Sequence, residues 1–153
     1  MRRFSARGGW WVAAQGVAMF AIFVAWLAWG GSWGVVAGVA GFTVAVVGAV
    51  LGVAGLGYLG RNLTPYPVPR EGTVLVDRGP YAVVRHPIYG GLVLAALGIS
   101  IADANPVAIG LSVGLGVLFT AKAGHEERHL ERDVAGYADY RRRVRGRILP
   151  WIP

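Results

Sequence analysis

The chain has 153 residues, of which 55% are hydrophobic and 24 are glycine, and it carries no cysteine and a formal net charge of +7. The lack of cysteine excludes a disulfide, a thiolate nucleophile and a cysteine-based zinc site. So apolar a chain does not fit a soluble domain of this length, and we predict a single membrane domain over residues 1–153.

Two long uncharged segments come first, at residues 10–29 and 33–60. Each is long enough for a helix to cross a hydrocarbon core, which takes about 20 residues. We therefore predict two N-terminal transmembrane helices within residues 10–60. The first is too long and too rich in tryptophan for a signal peptide, so we expect it to be retained.

Small residues recur on one face of the second helix, at alternating intervals of four and three: Gly34, Gly38, Gly41, Ala45, Gly48, Gly52 and Gly55. Such a stripe lets two helix backbones approach closely. We expect it to pack against other helices of the same chain, because a membrane protein must first pack its own helices. The alternative use is an interface between copies of the chain in a homo-oligomer.

Residues 61–87 are predicted to form a cytoplasmic loop. Pro65, Pro67 and Pro69 favour an extended start, and β-branched runs on either side of residues 77–80 admit a short β-hairpin. The loop then leads Arg85, His86 and Pro87 to the start of the next apolar segment.

The apolar block from Ile88 to Ala121 is too long for one straight helix. Such a helix would run roughly 50 Å, whereas a hydrocarbon core is about 30 Å thick. Asp103-Ala104-Asn105-Pro106 near its centre is typical of a turn. We predict a short helical hairpin here, which gives an all-α membrane protein with about four transmembrane helices.

The last part of the chain, from Gly124 to Arg147, is charged and helical in composition, with a break expected at Gly136. We predict a C-terminal amphipathic helix in the cytoplasm, followed by an interfacial anchor at Trp151. Residues 88–153 then hold the hairpin and this helix.

The basic residues predict the orientation in the membrane. Every lysine and arginine lies before the first helix, between the second and third, or after the fourth. Four crossings place these segments on one side, so the positive-inside rule predicts that both termini are cytoplasmic. We expect the membrane to be the plasma membrane, with any active site in these segments on its cytoplasmic side. Arginines beside anionic lipid account for the net charge, and no nucleic-acid partner is needed.

The hairpin also brings two polar motifs to the same interface. VVRHPIYGG precedes it and HEERHLERD follows it, so the two face each other. The second contains an H-E-x-x-H pattern, with His125 and His129 spaced as two zinc ligands on a helix. A membrane zinc protease is one alternative, but it needs a third ligand and leaves the first motif unexplained.

The first motif, Arg85-His86-Pro87-Ile88-Tyr89-Gly90-Gly91, is paired with Glu126-Glu127 across the hairpin. This pairing resembles the integral-membrane methyltransferases related to isoprenylcysteine carboxyl methyltransferase and the phospholipid N-methyltransferases. The resemblance extends over residues 79–153, through Gly79-Pro80-Tyr81, Asn105-Pro106, Tyr137, Tyr140 and the closing ILPWIP.

The resemblance implies an enzyme that uses S-adenosylmethionine and methylates a carboxyl group or an amine of a lipid-like or isoprenoid acceptor, without a metal. It implies catalytic roles for Arg85, His86 and Glu127 and acceptor contacts for Tyr137, Tyr140 and Arg141. The cofactor-binding residues that it implies are Tyr81, His86, Pro87, Tyr89, Gly90, Gly91, Glu126 and Glu127.

Other interpretations stay open at this point. A sterol reductase with a nicotinamide cofactor shares related motifs, and a non-catalytic scaffold would need only the glycine stripe. Arg85 and His86 are also compatible with snorkelling to the interface, and Tyr137 and Tyr140 with an aromatic belt. Arg141 is compatible with a lipid-facing position.

Overall fold

The computed structural model describes residues 8–69, 72–150 and 152. It has five helices, which are α1 (Gly9–Ala28), α2 (Val35–Leu59), α3 (Pro87–Ala102), α4 (Pro106–Asp133) and α5 (Tyr137–Arg143). Short 3₁₀ turns lie at Gly60–Asn62 and Gly79–Ala82. These residues contain no strand, so the all-α prediction is confirmed. The predicted basic flank Arg2, Arg3 and Arg7 and the predicted anchor Trp151 lie outside the described residues.

Three helices have the length and composition to cross a membrane: α1, α2 with the turn that follows it, and α4. Helix α3 has 16 residues. At 1.5 Å per residue it spans about 24 Å, less than a hydrocarbon core of about 30 Å. The chain is an integral membrane protein, and the fourth crossing remains a prediction.

The predicted turn between the third and fourth helices is confirmed. Pro106 begins α4, and the Asn105 side-chain oxygen caps it by accepting from the Ala108 amide at 2.9 Å. The Asn105 side-chain amide donates to the carbonyls of Ala25 at 2.9 Å and Trp29 at 2.5 Å. Asn105 therefore joins the tip of the α3–α4 hairpin to the end of α1.

Helix α4 does not end near Ala121. The hairpin therefore has one short helix, α3, and one long helix, α4. Helix α4 continues to Asp133, because the residues after Ala121 include good helix formers and no proline. The break at Gly136 is confirmed, with a φ of 80° that suits glycine. The separate helix after it is limited to the seven residues of α5.

The glycine stripe of α2 packs against α3. A Cβ added at Gly41 would lie 2.7 Å from the Gly98 carbonyl oxygen, and one at Gly48 would lie 2.7 Å from that of Gly91. Nothing lies within 4 Å of such an atom at Gly38. The expectation of packing within the chain is thus confirmed for the middle of the stripe.

The β-hairpin considered for residues 72–84 does not form. A 3₁₀ turn with Pro80 as its second residue lies there, and Val84 instead forms an isolated parallel bridge with Gly146. The amides of Arg85 and His86 donate to the carbonyls of Gly146 at 2.9 Å and Arg147 at 2.8 Å. The C-terminal segment supplies the backbone partners that a second strand would have provided.

The packed interior joins α1, α3 and α4. Ile22, Val93, Leu115 and Phe119 form its buried apolar cluster with Ala96. This cluster lies beneath the polar ends of α3 and α4 and supports the site formed there.

Candidate active site

Arg85 is buried at the start of α3, with 6% of its surface exposed. Its Nη1 donates to the carbonyls of Val144 and Arg145, each at 2.7 Å, and its Nε donates to Glu127 Oε1 at 2.8 Å. His86 is similarly buried, at 7%. Neither side chain snorkels to the interface, because each is enclosed by α4 and the C-terminal segment.

Glu127 contacts both of these side chains and is 1% exposed. Its Oε1 also lies 3.2 Å from His86 Nε2. Its Oε2 lies 3.4 Å from Arg147 Nε and 3.8 Å from Arg141 Nε, and makes no hydrogen bond to a described residue. One carboxylate thus faces three guanidinium groups, of which that of Arg141 is also paired with Glu131 at 2.6 Å.

Glu126 contacts the other half of the first motif. Its Oε2 accepts a 2.8 Å hydrogen bond from the Tyr89 hydroxyl and lies 4.0 Å from His86 Nδ1. The Tyr89 ring stacks between His86 and Phe119, with centroid distances of 5.4 and 4.7 Å. The two motifs separated by the hairpin therefore meet, as the topology predicts.

A cavity of about 290 Å³ opens on the Glu126 side. We call it the tyrosine cavity, because Tyr81, Tyr89, Tyr137 and Tyr140 line it. Arg85, His86, Lys122 and Glu126 also line it, and most of its remaining wall is apolar.

A second cavity of about 930 Å³ lies on the Glu127 side, between α3, α4 and the C-terminal segment. We call it the arginine groove, because Arg128, Arg141 and Arg147 line one end together with Glu127. The rest of its wall is mostly apolar and comes from α3, α4 and the C-terminal segment. The adjacent glutamates thus face different cavities, while both contact His86.

The tyrosines beyond Tyr89 are held by hydrogen bonds and burial. The Tyr140 hydroxyl donates to the Tyr81 carbonyl at 2.8 Å, and that of Tyr81 donates to the Gly55 carbonyl at 3.3 Å. The Tyr137 hydroxyl is buried without a described partner. Burial raises the pKa of all three phenols, so they stay neutral donors at ordinary pH. Their burial does not fit a lipid-facing belt.

Three residues assigned to the cofactor by resemblance, Pro87, Gly90 and Gly91, line neither cavity. A Cβ at Gly90 would collide with the Ile148 carbonyl oxygen, and one at Gly91 would lie 2.5 Å from the Gly52 nitrogen. These glycines admit the C-terminal segment and α2. Their roles toward a cofactor stay predictions.

Lys122 is the residue that reasoning from the sequence missed. From the sequence, Lys122 is one of the cations expected at the membrane interface. The structure instead buries it, at 1% exposure, on the wall of the tyrosine cavity. Its spacing of four from Glu126 was the available signal, because residues four apart share a helix face.

The H-E-x-x-H histidines have other partners. His125 Nδ1 lies 3.0 Å from Arg128 Nη2, and His129 Nδ1 lies 3.0 Å from the His125 carbonyl oxygen. Over residues 8–69 and 72–150, no three His, Asp or Glu side chains form a group able to hold a metal. The structure gives the protease alternative no third ligand.

A family model supplies the decisive comparison. The model of the phospholipid methyltransferases matches residues 33–134, from just before α2 to the end of α4, and includes both motifs. The chain belongs to the phospholipid methyltransferase family. No curated protein matches the sequence.

Membership in the phospholipid methyltransferase family confirms the predicted resemblance and makes the chain a membrane methyltransferase. It gives no support to the reductase, protease or scaffold alternatives. Helix α5, with Tyr137, Tyr140 and Arg141, lies beyond the matched residues.

Proposed function

We propose that the protein transfers a methyl group from S-adenosylmethionine to a lipid-like or isoprenoid acceptor, at the cytoplasmic face of the plasma membrane. The observation that supports this most is the buried cluster of Arg85, His86 and Glu127, which separates two cavities in a member of a methyltransferase family.

The residues around Glu127 fit the cofactor. S-adenosylmethionine supplies an electrophilic methyl group on a sulfonium and presents an ammonium, a carboxylate, hydroxyls and an adenine ring. The Glu127 Oε2, which accepts no hydrogen bond from a described residue, suits an N–H or O–H donor, and Arg147 suits a carboxylate. The tyrosines that line the tyrosine cavity offer aromatic rings to a cation or a base.

The burial of the cluster serves the reaction in two ways. Arg85, His86 and Glu127 are almost inaccessible to water, so the charges of Arg85 and Glu127 interact more strongly than they would in solution. Their side chains are also fixed by hydrogen bonds to one another and to the C-terminal backbone. Methyl transfer depends on such fixed positioning, because the enzyme needs no covalent intermediate.

The chemistry of the acceptor decides whether a base is required. A carboxylate acceptor is already a nucleophile, whereas an amine or hydroxyl must lose a proton. His86 Nδ1 is the atom placed to take that proton, because its Nε2 already faces Glu127 and Glu126 lies beside Nδ1. Both O- and N-methylation are compatible with this arrangement.

The test is methyl-label transfer from S-adenosylmethionine into a total lipid extract by detergent-purified protein, with calorimetry of cofactor binding. We expect label in a lipid product, and a loss of transfer in Glu126→Gln. Asp133→Asn is the matched control, because Asp133 is exposed on the same helix and lines neither cavity. Absence of cofactor binding by the folded wild-type protein would refute the proposal.

A further inference from the structure

The tyrosine cavity contains a cation that the proposed reaction does not use. The ammonium of Lys122 donates to the Gln15 side-chain oxygen and, at 3.0 Å, to the Pro65 carbonyl. It also lies 5.1 Å from the centre of the Tyr89 ring. Lys122 thereby connects α4 to α1 and to the loop after α2, at the cavity wall.

All three of these partners are uncharged. Among the ion pairs of residues 8–69 and 72–150, none includes Lys122. An ammonium has three donors, and the two oxygens occupy two of them. Glu126, one turn further along α4, acts on Lys122 through space without forming an ion pair with it. Because a buried charge is costly without a paired opposite charge, the arrangement indicates an anionic partner that enters the cavity.

The surrounding charges leave this position to Lys122. Arg85 is paired with Glu127, and Glu126 holds the Tyr89 hydroxyl without forming an ion pair with Lys122. His86 lies between the two glutamates. The rest of the wall includes Leu59, Leu63, Leu92 and Phe119, which suit a hydrocarbon chain.

We propose that Lys122 is a specificity residue that binds an anionic oxygen, of a carboxylate or a phosphate, on the lipid acceptor. This rests on the proposed function and names its acceptor class, which is a lipid with an anionic headgroup whose chain lies along the apolar wall. The cofactor is a poorer occupant, because its sulfonium repels the ammonium and the arginine groove provides cations for its carboxylate.

The test measures binding rather than turnover. Energy transfer from the protein's tryptophans to cis-parinaric acid, and to its methyl ester, gives the affinity for a lipid with and without the anionic oxygen. Because a hydrogen bond to a charged group is strong, we expect the wild type to bind the acid roughly tenfold or more tightly than the ester. Lysophosphatidic acid as a competitor tests a phosphate in place of the carboxylate.

The variants assign this preference to one side chain. Lys122→Gln should remove it, Lys122→Arg should retain part of it, and Arg132→Gln should leave it unchanged. Arg132 is the matched control, since it is an exposed cation on the same helix that lines neither cavity. A preference that survives Lys122→Gln would overturn the proposal, and so would a wild type that neither prefers the acid nor binds lysophosphatidic acid.

Calorimetry with S-adenosylmethionine separates the two proposals. We expect Lys122→Gln to bind the cofactor as the wild type does. If this variant loses the cofactor but keeps the preference for the acid, the anion at Lys122 belongs to the cofactor and the acceptor assignment is wrong. A wild type that prefers the acid but binds no cofactor would refute the proposed reaction and leave the anion site standing.

Discussion

At the scale of single residues, Glu127 combines two functions in one carboxylate. Its Oε1 is occupied by Arg85 and His86, so this oxygen fixes the start of α3 against α4. Its Oε2 lies near Arg141 and Arg147 but accepts no hydrogen bond from a described residue, so this oxygen is available to a ligand. Stability and binding therefore depend on the same side chain, and experiments have to separate them.

We expect Glu127→Gln to lower the free energy of unfolding by about 3 kcal/mol, because it leaves the buried Arg85 without its opposite charge. Thermal unfolding in detergent, followed by tryptophan fluorescence, measures this. Asp133→Asn, which removes an exposed carboxylate from the same helix, should change stability little.

A double-mutant cycle with Arg85→Met supplies the sharper control. If the two side chains act as a pair, the double variant should lose less stability than the two single variants together. Additive losses would show that Glu127 stabilises the fold through other contacts.

The sequence predicted the central pair of motifs but not the whole site. Arg85 and Glu127 were found because their motifs flank a hairpin, whose return is fixed by Pro106 and the turn before it. Lys122 and Arg147 were not, because a cation near a membrane interface is equally compatible with lipid. Only the tertiary arrangement shows that Lys122 faces a cavity and that Arg147 faces Glu127.

At the scale of elements, the site is supported by the seam between α2 and α3, where paired glycines bring the two helix backbones close together. The carbonyl of Gly91 lies where a side chain at Gly48 would begin, and Gly98 is similarly placed against Gly41. This seam holds α3 and therefore fixes the position of Arg85, His86 and Tyr89 at its start.

We expect Gly48→Ala to destabilise the protein by about 1–3 kcal/mol, because the added methyl group meets backbone that has no room to move. Gly38→Ala on the same helix should be nearly neutral, since nothing lies within 4 Å of its added Cβ. Thermal unfolding of the two variants in one detergent makes the comparison. Equal changes in stability would contradict a special role of the seam at Gly48.

The periodicity of the glycines was sufficient to predict a packed face on α2, but not that α3 is the helix packed against it. Small residues at this spacing suit a neighbour within the chain and a second copy equally well. The end of α4 was likewise beyond prediction, because charged helix formers continue a helix after its apolar part has ended. The structure extends α4 to Asp133 and so brings both glutamates into a rigid element.

At the scale of the whole molecule, the α1–α2 connection and the α3–α4 connection touch at the end opposite the site. The Gly31 amide donates to the Asp103 carbonyl at 2.8 Å, and Asn105 holds the end of α1. Arg85 and Glu127 meet at the other end. If α3 crosses the bilayer with its neighbours, both tips share one side and the site lies on the other.

Cysteine labelling tests this orientation directly, because the sequence contains no cysteine of its own. We expect a membrane-impermeant maleimide to label Ser32→Cys and Val107→Cys in intact cells. Arg145→Cys should be labelled only after permeabilisation. If Val107→Cys instead behaves like Arg145→Cys, the α3–α4 hairpin does not cross the membrane.

The parallel contact between residues 84–86 and 146–147 also sets the order of events during synthesis. The ribosome makes Arg85 about sixty residues before Val144 and Arg145, whose carbonyls accept hydrogen bonds from its guanidinium. Until those residues emerge, Arg85 has no backbone partner for its Nη1 and remains in contact with water or lipid headgroups. The contacts of Arg85 are therefore completed only after residues 144–147 have been translated.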